Sequence, residues 1–117
     1  MIITINNKDY ELSFGFDFLD YLNENYSIKM EAGGHTMSSG LGGARMLASA
    51  LETEAPTAVY RTIKAATAHL SQKPSNKDVE DYLNELYSDD DKPKKLIKDI
   101  KKELKKQPAV QKEMGLS

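Results

Sequence analysis

The chain has 117 residues, 16 basic and 18 acidic, and no cysteine. That length suits one domain with a modest core, and the missing cysteine excludes disulfides, thiolate metal sites and cysteine nucleophiles. A strand pattern stands where a signal peptide would carry a basic region and an apolar run, and no apolar stretch approaches the roughly 20 residues of a membrane span. A soluble, intracellular protein is therefore expected.

The net charge of −2 hides a partition. Residues 92–117 hold nine lysines against Asp99, Glu103 and Glu113, a surplus of +6. The first 91 residues hold seven basic and fifteen acidic side chains, a balance of −8. Asymmetry of this kind suggests an interaction tail, or subunits that meet through opposite charges. It divides the chain into residues 1–91, read as a hairpin plus helical domain, and 92–117, read as a lysine-rich helix with a frayed tail.

In chain order, Ile3, Ile5, Tyr10, Leu12 and Phe14 alternate on either side of Asn6-Asn7-Lys8. Alternation predicts a β-hairpin. A two-residue turn at Asn6-Asn7 sets Ile3 opposite Tyr10 and keeps both apolar sets on one face. After Gly15 the spacing of Phe18, Leu19, Leu22 and Tyr26 becomes helical, and this 16–26 helix is the nearest cover for the hairpin. Ser27 to Gly43 is rich in glycine and serine and reads as a loop. Leu47, Ala50 and Leu51 mark a second helix, which Glu54-Ala55-Pro56 interrupts. Pro56 suits the first turn of a third helix carrying Val59, Tyr60, Ile63, Ala66 and Leu70. Ser75 with Asp78 three residues on predicts a capped helix bearing Val79, Tyr82, Leu83 and Leu86. Asp89-Asp90-Asp91 reads as a helix stop and N-cap. From Pro93, Leu96, Ile97, Ile100 and Leu104 form a narrow apolar stripe flanked by lysines.

Catalytic sets are missing from the pattern. His35 and His69 show no metal-ligand spacing and no neighbouring nucleophile, and each reads as a solvated or packed histidine. Gly40, Gly42 and Gly43 follow no apolar strand, and Arg45 stands where a P-loop needs Lys-Ser. Three consecutive aspartates without an EF-hand glycine and distal glutamate do not form a calcium loop. The expectation is no enzyme, no cofactor and no metal. Nucleic-acid binding by the lysine helix is the alternative function. It is set against an acidic chain with few arginines and no aromatic residue among the lysines. Methionines 30, 37 and 46 suggest a soft protein-binding surface. The expected partner-binding residues are Met30, Met37 and Met46 together with the stripe Ile97, Ile100 and Leu104.

The segment Ile5-Asn6-Asn7-Lys8-Asp9-Tyr10-Glu11-Leu12-Ser13-Phe14-Gly15-Phe16-Asp17-Phe18-Leu19, continued through Leu22 to Tyr26, resembles the opening of tail assembly chaperones. These are proteins of long-tailed bacteriophages and prophages of Gram-positive hosts. A second stretch, Ala65-Ala66-Thr67-Ala68-His69-Leu70 with Lys73-Pro74-Ser75 and Asp78-Val79-Glu80-Asp81-Tyr82-Leu83, is similar too. The resemblance spans roughly residues 2–87, with Asn-Asn where the family usually shows Asn-Gly, and leaves the lysine helix outside. It implies an α+β, mainly α fold, with an N-terminal β-hairpin packed on a small bundle of four to five helices. It also implies a non-enzymatic chaperone that binds the tape measure protein, keeps it soluble and helps recruit tail tube (major tail) protein. Such a chaperone works in the host cytoplasm and is absent from the mature virion; self-association of this chain is a further partner expectation.

Overall fold

Strands β1 (Ile2–Ile5) and β2 (Lys8–Glu11) pair antiparallel with Ile3 opposite Tyr10 and Ile5 opposite Lys8. The expected two-residue turn is present. Asn6 and Asn7 both take positive φ, 52° and 62°, the conformation that matches a hairpin's right-handed twist and that asparagine tolerates. The register sends Ile3, Ile5, Tyr10, Leu12 and Phe14 to the core and leaves Ile2 and Thr4 outside. The computed structural model describes residues 1–26, 29–32, 35–38 and 42–116, with the backbone alone for 29–32 and 35–38.

Six helices follow: α1 (Phe16–Tyr26), α2 (Gly43–Glu52), α3 (Pro56–Ala66), α4 (Asn76–Leu86), α5 (Lys92–Lys105) and α6 (Pro108–Met114). The fold is α+β and mainly α, as expected. Helix α1 buries Phe18, Leu19 and Leu22, and the Phe18 ring meets Phe14 edge-on with centroids 5.2 Å apart. It packs chiefly on α2 and α3, whereas the helix set against β1 is α4. The sequence expectation that α1 covers the hairpin is thus corrected. Chain proximity favours α1, but its apolar face is taken up by α2 and α3. Asn6 donates to the Asp78 carboxylate at 3.5 Å, and Ser13 N–H donates to Ala66 O at 3.0 Å. These contacts tie the hairpin to α4 and to the end of α3.

Two further expectations are corrected. The Ser27–Gly43 stretch, read as a loop, contains strands β3 (Lys29–Ala32) and β4 (His35–Ser38), paired with Met30 opposite Met37. A Gly-Gly pair between two short runs with alternate apolar residues is a hairpin signature, which the glycine content obscured. The tail after Gln107 is not frayed. Pro108 occupies the first turn of α6, where a missing N–H costs nothing, and Val110 and Met114 are buried. Gly115 at φ 70° ends the helix in the left-handed conformation. Helix α6 packs on both α2 and α5, so the C-terminal residues close the same core as the N-terminal ones.

Ser75 Oγ accepts from Asp78 N–H at 3.1 Å and caps α4 as expected. At the acidic break Asp89 does the capping. Its Oδ1 accepts from the Asp91 and Lys92 amides at 2.8 and 3.0 Å, and these bonds hold the carboxyl below the usual aspartate range. A depressed folded-state pKa adds stability above the unfolded value, and that stability is lost as pH falls through the folded value. Asp89→Ala should therefore lower Tm at neutral pH and make no difference at a pH where the carboxyl is protonated. An equal loss at both pH values would rule out the ionised cap.

Gly43 opens α2 where that helix touches α1. A Cβ there would stand 2.0 Å from Leu22 O and 2.5 Å from Leu22 C, both backbone atoms. Gly43→Ala should force the helices apart and cost about 1–3 kcal/mol, the usual range for overpacking, read as a fall in Tm. An unchanged Tm would show that the contact gives way freely.

Candidate functional site

Helix α5 divides its residues sharply. Pro93, Ile97, Ile100 and Leu104 are buried, while Lys94, Lys95, Lys98, Lys102, Lys105 and Lys106 are exposed. The stripe that sequence reasoning placed toward a partner lies inside this fold. Ile97, Ile100 and Leu104 retain 4%, 0% and 0% of their accessible surface and belong to the common core. What α5 presents to solvent is its lysine side. Together with the end of α2 it forms an open groove lined by Leu51, Glu52, Glu54 and five lysines, with an edge of Ile97 reaching the floor.

One ion pair spans the groove, Lys101 Nζ to Glu52 Oε1 at 2.8 Å. The Lys101 hydrogen bond first, then its charge, lowers the Glu52 pKa. The groove is shaped from both walls. Glu54 takes a positive φ of 59° just past α2, and its carbonyl accepts the Tyr87 hydroxyl at 2.9 Å. That bond fastens the end of α2 to the turn before α5.

The methionines separate. Met46 on α2 is 43% exposed. It borders a shallow depression shared with Tyr26, Leu47, Ala50, Ala58 and Arg61. The Arg61 guanidinium lies over the Tyr26 ring, 4.7 Å from its centroid, a cation–π contact that keeps the polar rim in place. Burial raises the Tyr26 pKa, with Tyr21 adding to the effect. Met30 and Met37 are Cα partners across β3–β4, and their side chains lie outside the described residues. The structure therefore brings Met46 together with Tyr26 and Arg61, and keeps it on a different surface from the α5 lysines.

Sequence reasoning missed Phe16 and Ile2, exposed at 69% and 61%. A signal existed for Phe16. At 100° per residue it lies about 110° from the centre of the Phe18–Leu19–Leu22–Tyr26 face, on the side of Asp20 and Glu24. Among the described residues no group of three or more His, Asp or Glu side chains is placed to hold a metal ion. Among them also, no helix is long and apolar enough to cross a membrane.

A family model described as phage tail assembly chaperone protein matches residues 2–115. No curated protein and no solved structure matches the chain. The match runs through α5 and α6, so the lysine helix lies within the family's span and not outside it, as the sequence resemblance implied.

The burial of α5 is tested by a pair of variants. Leu104→Ala should cost about 2–5 kcal/mol through the cavity it leaves, whereas Lys98→Glu on the exposed side should stay within about 0.5 kcal/mol. Denaturant midpoints distinguish them, and equal, small losses would show that the stripe is not core.

Proposed function

We propose that this chain, which belongs to the phage tail assembly chaperone family, binds the tape measure protein, keeps it soluble and helps recruit tail tube subunits during tail assembly. The observation that carries this reading is the family match across nearly the whole chain, from the hairpin to α6. The role is one of binding, without catalysis, exercised in the host cytoplasm and ended before the virion matures.

The physical requirements of such a client support the reading. A long helical protein with exposed apolar stripes aggregates unless small partners cover it. A cover that must later leave needs modest affinity per copy, which suits a shallow, adaptable surface better than a deep anchoring pocket. The depression around Met46 has that character, with a flexible thioether beside Tyr26 and half-buried Ala50. We assign client contact to this surface and to the Met30 and Met37 positions of the β3–β4 hairpin. Ile97, Ile100 and Leu104 serve the client only indirectly, by holding α5 on the core.

A second reading, a small nucleic-acid-binding regulator, draws on the five lysines of the α2–α5 groove. Glu52 and Glu54 in the same groove weigh against it, because a phosphate backbone would meet both.

Co-expression with the tape measure protein encoded beside it should keep that protein in the soluble fraction and allow the two to co-purify. Met46→Asp should reduce the yield of complex several-fold while leaving the chaperone's Tm unchanged. No solubility gain and no co-purification under matched expression would refute the chaperone reading. A fully active Met46→Asp variant would move the client surface elsewhere.

A further inference from the structure

The lysines that border the α2–α5 groove are regularly spaced. Lys94, Lys98, Lys101 and Lys105 follow steps of four, three and four residues. At 100° per residue they fall within a sector of about 60°, forming one ridge, with Lys102 about 40° beyond its edge. The ridge is about 16 Å long at 1.5 Å per residue. Asp99 and Glu103, the acidic residues of α5, lie on the other side of the helix. Lys94, Lys98, Lys102 and Lys105 are exposed, and the ion pairs among the described residues include none of them.

The opposite wall is acidic but short. Glu52 is taken by Lys101 at 2.8 Å, and Glu54 stands just past the end of α2. With five lysines and two glutamates, the lining has a surplus of three positive charges. Its apolar residues Leu51 and Ile97 are buried. Whatever enters the groove must therefore be held by charge and hydrogen bonds.

We propose that the α2–α5 groove binds an acidic helical segment of a partner protein, with a stripe of carboxylates laid along the lysine ridge. Carboxylates three and four residues apart on a helix share one face and repeat at the same rise as the lysines. The lysine steps read the same in both directions, so such a segment fits whichever way it runs. An extended segment repeats its side chains on one face about every 6.6 Å. That step exceeds the ridge's mean of about 5.5 Å and falls out of register. Duplex DNA carries a charge about every 1.7 Å of its axis and would set phosphates against Glu52 and Glu54 as well. A helix confines its charge to one stripe and leaves a neutral or basic residue to face Glu54. Each exposed pair adds little, so selectivity comes from several pairs meeting in register. This contact goes beyond the client surface at Met46, with which the groove shares no lining residue, and does not rest on it.

Fluorescence anisotropy with two labelled peptides of about 20 residues, long enough to form helices unaided, tests this. Both have the same composition. In one the glutamates form a single stripe at steps of four and three, and in the other they are spread around the helix. The striped peptide should bind the full chain at low ionic strength about tenfold more tightly than the spread one. It should be released in ~1 M salt, where the screening length is about 3 Å. K94E/K98E/K105E should weaken its binding about tenfold or more. K8E/K73E/K112E changes the net charge equally at exposed lysines outside α5 and should weaken it about twofold or less. Both variants should keep the circular dichroism of wild type. Equal affinity for the two peptides, or equal losses in the two variants, would overturn the proposal, since either means attraction by overall charge. So would tighter binding of duplex DNA than of the striped peptide. A chain that sediments as an oligomer and leaves the peptide unbound would overturn it too. Co-purification of the client with the Met46→Asp variant reports on the other surface and is read separately.

Discussion

The fold depends on how closely α1 approaches α2. The hairpin and the helices all present one apolar side, and none can bury it alone in a chain of this size. Leu22 and Gly43 make the approach possible, because only a residue without Cβ fits against the Leu22 carbonyl. Once α1 and α2 are in contact, α3 closes over both, and α6 docks on the far side of α2 with α5 beside it. Alanines follow the same logic. Ala58, Ala65 and Ala66 are buried in α3, where small side chains let neighbouring backbones come near. Buried hydroxyls cause no penalty, since Thr62 and Thr67 donate back to Ala58 O and Ile63 O at 2.8 and 2.7 Å.

Charge is distributed by the same packing. Helix α5 contributes its isoleucines and a leucine to the core and so must turn its lysines outward. The basic side of α5 then meets Glu52 and Glu54 at the end of α2. Among the described residues Lys101 is the one lysine of α5 paired across the groove, and surface pairs of this kind add little stability. The ridge therefore contributes less to holding the fold than to defining what can approach it. The methionine-bordered depression shares no lining residue with that groove.

Much of this was legible in the residues. Asn6-Asn7 and strict alternation specified the hairpin and its register, because a one-residue slip would turn Ile3 and Ile5 to solvent. Ser75 and Asp78 marked the start of α4, and the aspartate run marked the start of α5. Other features were masked by composition. Gly33-Gly34 and the serines made a hairpin look like a loop, and Pro108 looked like a terminator when it was an initiator. Phe16 could have been placed on the outer face of α1 by its angle alone. The stripe of α5 was found correctly as a stripe, but its destination was not written in it. A helix bearing four apolar residues looks the same whether it is owed to its own core or to another protein.

The amino-acid sequence by itself determined the local elements, the hairpin register, the helix caps, the uneven charge and the family resemblance. Each of these rests on neighbours a few residues apart, through backbone conformation and side-chain period. Only the tertiary structure decided which apolar faces are paired, with α4 rather than α1 against the hairpin and the Ile97–Leu104 stripe turned inward. It alone left Met46 outside and set the lysines of α5 against the end of α2. Those outcomes depend on contacts between residues far apart in the chain, where many partners satisfy the same pattern and close packing selects one.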